Sequence, residues 1–328
     1  MRATKCGREE QSSSRSCGRV IRPAGLQDHK GTRKLYHLPW FARSLAFVDG
    51  MSLVSWDKKW DLACTNGHLP IVKFLNEKDS KRCTRRAMNA AAENGHLRVV
   101  EFLHQNRTEG CTRSALDAAA SSGHLSVVEF LHQNRTEGCS VMAMDGASAG
   151  GHLQVVEYLH NNRSEGCTKF AMNMAAVNDH MSVLEFLHNR RSEGCSVGAM
   201  NAASRNGHLR VVKFLHKHRS EGCTKGALDD AARNGHLKVV EFLHAARTEG
   251  CSNDAMDGAA HNGHLGVVEW LHARRAGCTA RAMDHAAQGG HLRVVEWLHG
   301  HRAEGCTVDA VDMAAVHGHL AVVEWLHR

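Results

Sequence analysis

Aspartate or asparagine, histidine and cysteine recur together along this chain, and these are the side chains of nucleophilic catalysis and of zinc binding. The Asx residue returns at Asp61, Asn89, Asp117, Asp145, Asn173, Asn201, Asp229, Asp257, Asp284 and Asp312. Cysteine returns at Cys83, Cys111, Cys139, Cys167, Cys195, Cys223, Cys251, Cys278 and Cys306. Histidine follows a glycine, as at Gly123-His124, and recurs further on at His104, His132 and His160. Catalysis needs one convergent site whose groups have distinct environments, whereas a ladder repeats one environment many times. Asp also exchanges freely with Asn here, which argues against an acid–base role. No catalytic residue, cofactor or metal is therefore expected. Cys111 and His124 stand at opposite ends of a helix about 15 Å long, too far apart to share zinc through bonds near 2 Å. Cys111 with His132 is the pairing that an antiparallel hairpin leaves open. Neither a C-x-x-C nor a P-loop nor a G-x-G-x-x-G occurs.

These residues belong to one repeated unit, clearest from Cys111 to Gly138. Its turn histidine recurs at His68, His96, His124, His152, His180, His208, His236, His264, His291 and His319, spaced 28 residues apart except for one step of 27. A fixed period of this size marks a repeat array, each unit being one supersecondary element. Thr112 reads as a helix N-cap whose hydroxyl accepts from a free backbone N–H. Cys111 and Leu116 then take the two positions of a hydrophobic staple. Ala115 to Ala120 continue a short helix of good formers. Gly123 ends it in the left-handed conformation. Leu125 to His132 form a second helix, too broadly apolar for one buried stripe and so covered by more than one neighbour. Gln133 to Gly138 make a polar loop, in which Arg135 and Glu137 are either exposed pairs or rungs of a charge ladder. One hairpin cannot bury both faces of its second helix, and stacking identical hairpins solves this as a solenoid.

The stretch Ala115 to Leu131, A-L-D-A-A-A-S-S-G-H-L-S-V-V-E-F-L, resembles the helical core of the ankyrin repeat, over about residues 56 to 328. Two departures stand out. The period is 28 rather than 33, and the missing residues fall where the family makes its β-hairpin finger. The family's T-P-L-H is replaced by x-A-[ML]-[DN]. The resemblance implies an all-α solenoid of about ten stacked helix-turn-helix repeats with fingers reduced or absent. It also implies a protein-binding scaffold that is not an enzyme, with partners held on the concave face.

Net charge is +7, but residues 1–44 hold ten Lys/Arg and three Asp/Glu, which accounts for all of it. The rest of the chain is balanced and carries no footprint for nucleic acid. Residues 1–34 read as a disordered basic tail. Residues 35–55 read as a capping helix for the first repeat; Leu35 to Val54 also carries a faint F-box resemblance, and the alternative function is recruitment of targets to a ubiquitin ligase. No apolar run is long enough for a membrane span, and the start lacks a secretory signal. The nine repeated cysteines sit about 10 Å apart in a stack, beyond disulfide reach. They read as buried thiols in a reducing compartment, the cytoplasm with the nucleus also open. Arg328 follows the last second helix without a polar end unit, leaving a face for a partner, a second copy or further chain.

The positions that vary between units are the binding candidates. Near the helix starts they are Arg85, Arg86, Arg113, Met142, Phe170 and Lys225. In the middle of the first helix they are Met174, Asp230 and His285. At its end they are Glu93, Ser121, Val177, Arg205, Arg233, His261 and Gln288. Met142, Phe170 and Met174 are expected to be exposed apolar anchors.

Overall fold

The computed structural model describes residues 56–78 and 83–328. Among these residues there are twenty α-helices and no strand, so the fold is the expected all-α solenoid without β-fingers. The basic tail, the capping segment and its F-box-like alternative lie outside the described residues. Helices come in pairs. First helices such as Arg85–Glu93, Arg113–Ser121, Val141–Ala149 and Lys169–Val177 alternate with second helices such as Leu97–Asn106, Leu125–Asn134, Leu153–Asn162 and Met181–Arg190. Each first helix packs against the next first helix, and each second helix against the next second helix. Alanine makes the first contact close: Ala115, Ala119 and Ala120 are fully buried. At Gly146 even a methyl group is excluded, because an added Cβ would overlap the Ser121 side chain of the preceding unit.

The local signals act as the sequence implies. Cys111 and Leu116, the staple pair, are both buried. Ser140 Oγ accepts from Met142 N at 3.2 Å, and Thr168 Oγ1 from Phe170 N at 3.1 Å, so each hydroxyl holds one unpaired helix-start donor. The first helix ends in a Schellman motif. In the unit of Thr112, His124 N donates to Ala119 O at 2.9 Å and Gly123 N to Ala120 O at 3.1 Å, with Gly123 at φ +79°. Of each second helix from Leu97–Asn106 to Leu292–His301, two branched residues and a leucine are buried, as at Val127, Val128 and Leu131, while Leu125 and Phe130 are half-buried; Leu69–Lys78 buries Val72 and Leu75, and Leu320–Leu326 buries Val322.

Thr112 departs from expectation. It has N-cap backbone geometry, but its hydroxyl makes no cap bond to its own helix. Asn89 of the preceding unit takes that oxygen instead, Nδ2 donating to Thr112 Oγ1 at 2.8 Å. This is one rung of a ladder. Asn89 Oδ1 also accepts from Thr112 N at 3.0 Å. Where the residue is Asp, the carboxylate accepts twice: Asp117 takes Ser140 N and Ser140 Oγ, both at 2.8 Å. A hydroxyl both donates and accepts, so it meets a carboxylate with its proton and an amide N–H with a lone pair. Asp and Asn are interchangeable for that reason. The cap bond coexists with either partner: Ser140 makes it beside Asp117, and Ser196 makes it beside Asn173.

Two measurements follow from these contacts. Asp179 stands where the other units have the turn glycine, and it takes φ +60°. A left-handed residue with a Cβ costs about 1 kcal/mol relative to glycine, so Asp179→Gly is expected to raise the thermal midpoint; a midpoint at or below the parent's would remove this assignment. Asp117→Ala strands a backbone N–H and a hydroxyl and is expected to cost about 1–3 kcal/mol. Asp117→Asn should stay within about 1 kcal/mol, because the hydroxyl reverses its role. Equal losses for both, by urea titration, would rule out the ladder as the reason for the exchange.

Candidate partner-binding face

Three of the recurrent polar residue types are used between units. The turn histidine of one unit covers the open end of the preceding first helix. His96 Nε2 lies 2.9 Å from Thr65 O and His208 Nε2 lies 3.0 Å from Val177 O. A carbonyl only accepts, so Nε2 carries the proton. The asparagine two residues earlier joins it: Asn206 Nδ2 donates to the same Val177 O at 2.9 Å. Helix ends leave carbonyls without partners, and here the next unit supplies them. The imidazole therefore lies flat against the preceding turn. A Cβ on Gly123 would come within 2.5 Å of His152 Nδ1, so this glycine is required by its neighbour as well as by its own φ.

The second set of histidines stacks. His104 meets Phe130 of the next unit edge-to-face, with centroids 5.5 Å apart, and His132 meets Tyr158 at 5.8 Å. The contact recurs through His244 on Trp270 and His272 on Trp297. Arg135 Nη1 lies 3.4 Å from His104 Nδ1; a guanidinium only donates, so Nδ1 accepts. The His132 ring belongs to this stack, and among the described residues no group of three or more His, Cys, Asp or Glu is placed to hold a metal.

The loop Arg–Glu pairs are half-buried rungs between units. Arg135 and Glu137 pair with each other; Arg135 reaches His104 of the preceding unit, and Glu137 accepts from the backbone N–H of Cys111 at the start of its own unit at 3.2 Å. Bonding to Arg135 holds the Glu137 carboxyl down to about 2. The pair closes over Cys111, whose thiol burial pushes up to about 11, with the Glu137 charge adding to it. Cys139 and Cys195 are raised in the same way to about 11.

Cysteine burial corrects the sequence reading, which has all nine as buried. Cys306 is exposed, and Cys223 and Cys251 are half-buried. The cover comes from the following loop, and the loop after Cys251 is the shortened one, Ala273 to Gly277, which lacks the Arg-x-Glu pair.

One motif that the sequence reading takes to be absent is present. Gly146 to Gly150 spells G-x-S-x-G, the pattern of a nucleophile elbow. Ser148 is fully buried inside the helix Val141–Ala149, and its Oγ donates to Met144 O at 2.7 Å. It is a core hydroxyl with no access to substrate.

The binding candidates form rows along the first helices. Arg85, Arg86, Glu93, Arg113, Ser121, Met142, Phe170, Arg205, Lys225, Arg233 and His261 are exposed. Met174, Val177, Asp230, His285 and Gln288 are half-buried. Met174 is thus a weaker anchor than expected, while Met142 is 66% and Phe170 51% exposed. Val197, which the sequence reading did not single out, is 42% exposed in the next unit. Some candidates pair among themselves. Arg205 reaches Asp230 with Nη2 at 2.6 Å and Nε at 2.9 Å, and the His261 and His285 rings lie 5.1 Å apart. An open groove of about 750 Å³ runs along the helix ends, lined by Val177, Asn178, Arg205, Asn206, His208, Asn234 and His236.

A family model for ankyrin repeats in three copies matches residues 60–145 and 171–257, and one for ankyrin repeats in many copies matches 283–327. The chain belongs to the ankyrin repeat family. Ankyrin repeats are generally interaction modules rather than enzymes, and the array is a protein-interaction scaffold. The crystal structure of the human ASB11 ankyrin repeat domain is 19% identical over 58% of this chain and 97% of that one, with a TM-score of 0.46. No curated protein matches the sequence. No helix among the described residues is long and apolar enough to cross a membrane.

The thiol pattern is measurable. Thiolate is the reactive form and raised pKa values suppress it. Brief alkylation of the native protein, read by peptide mass spectrometry, is expected to label Cys306 first and Cys111, Cys139 and Cys195 last among the repeated cysteines. Rapid labelling of Cys111 without unfolding would mean that its loop does not cover it.

Proposed function

We propose that this ankyrin array binds a protein partner through the varied face of its first helices, the concave face in the family's usual architecture. The observation that carries this reading is the pair Met142 and Phe170. They are large apolar side chains, mostly out in solvent, at one repeated position of adjacent units. Other units put Arg86, Ser114, Gly198, Gly226 or Asp254 there, so this position is free of the inter-unit bonding that fixes the Asx, His, Cys and Gly positions. Clustered exposed apolar groups mark contact sites. The raised, separated thiols suit a reducing compartment.

The test is a triple variant, Met142→Ala, Phe170→Ala and Met174→Ala, used as bait beside the parent chain. Helical circular dichroism is expected to be unchanged, while captured partner falls as binding loses about 2–4 kcal/mol. A control pair on the second helices, Glu129→Ala and Glu157→Ala, should retain the partner. Loss with the control pair and retention with the triple variant would move the site to the second-helix side.

A further inference from the structure

Resting on that reading, we propose that the row of first-helix starts from Arg85 to Lys225 docks an acidic peptide segment bearing apolar side chains, its centre on Met142, Phe170 and Val197. The three apolar groups occupy consecutive units and are the exposed large apolar residues of this row. Cations flank and interleave with them: Arg85, Arg86 and Arg113 on one side, Lys169 within, Lys225 on the other, all exposed.

The same six helices, from Arg85–Glu93 through Lys225–Arg233, carry no acidic residue in the first turn; the next, Asn253–His261, begins with Asp254. A helix N-terminus is itself electropositive and normally favours acidic residues. Five cations along six such ends therefore add to the field of the helices. Asp117 and Asp145 accept at the N-caps Ser140 and Thr168, and Asp61 lies beside Arg85 and Arg86, which leaves five cations against three carboxylates at these ends. Glu109 and Glu137 are each held by their own loop's Arg107 and Arg135, and Arg85 and Arg113 reach only neutral backbone there, at Glu109 O and Glu137 O, 3.1 and 3.3 Å away. At the N-terminal end a hollow of about 380 Å³ is lined by Asp61, Thr84, Arg85 and Arg86, so two guanidinium groups face one carboxylate. The charge complement of this row is an anion, and the apolar centre selects side chains that a phosphate backbone lacks. With helix axes roughly 8–10 Å apart, the three apolar units span about 20 Å, the reach of about six extended residues.

A random 12-residue peptide library displayed on phage, selected on the full chain, tests this. The enriched peptides are expected to be net negative with apolar residues, and to bind at least tenfold more weakly to a Met142→Ser, Phe170→Ser double variant of unchanged helicity. Affinity should also fall at least threefold between about 50 and 300 mM NaCl, because exposed charges are screened over about a Debye length, and in a Lys169→Ser, Lys225→Ser variant. Neutral or basic winners that still lose affinity in the Met142, Phe170 variant would overturn the acidic partner and leave the binding face standing. Winners indifferent to that variant would overturn both, as would the absence of any enrichment. A 20-nucleotide single-stranded RNA that bound more tightly than the winners, with the same sensitivities, would replace the peptide by nucleic acid.

Discussion

No unit of this array completes its own hydrogen bonding. The Asx residue of one first helix receives the N-cap backbone N–H of the next, and the hydroxyl beside it joins the same bond. The histidine and asparagine of one turn close the carbonyl end of the helix before. Buried backbone groups left open are costly, so a hairpin cut from its neighbours would expose both helix ends and one apolar face at once. That coupling makes such a chain quasi-one-dimensional: stability is a sum of units and of the interfaces between them.

This economy explains why the same polar residues recur. Asp, His and Cys recur because each has a neighbour to satisfy. The carboxylates accept from hydroxyl and backbone, the turn imidazoles donate from Nε2 to a carbonyl, and the thiols lie under an Arg–Glu pair. What remains uncommitted is the start of each first helix, beyond the N-cap, where the side chain can be Arg, Met, Phe, Gly or Asp without disturbing the stack. The proposed binding row uses such positions, which change from unit to unit without entering the bonds between units.

Much of this was legible in the residues. The 28-residue period, the Thr/Ser caps, the turn glycines and the apolar second helices are local signals acting within one unit, and each appears where sequence reasoning puts it. Asp179 in the left-handed conformation follows from alignment of units alone. The interchange of Asp and Asn, read in the sequence as evidence against an acid–base role, is accounted for by a hydroxyl that both donates and accepts. The exposure of Met142 and Phe170 was also legible, because both follow an N-cap on a face that the helix period leaves outside.

Tertiary structure decided everything that passes between units. Thr112 gives its hydroxyl to Asn89, 23 residues away in sequence, and not to its own helix. The histidines in the last turn of the second helices stack on the next unit's aromatic ring, which no spacing within one unit reveals. Met174 is half-buried, and Arg205 is tied to Asp230, because the neighbouring first helix stands close enough to reach them. Cys251 is less covered than Cys111 since its lid belongs to the following loop, shortened by one residue. The sequence alone determined what each hairpin is, because helix caps and periodicity act over a few residues. Stacking alone determined which polar groups are spent, because their partners lie one repeat away.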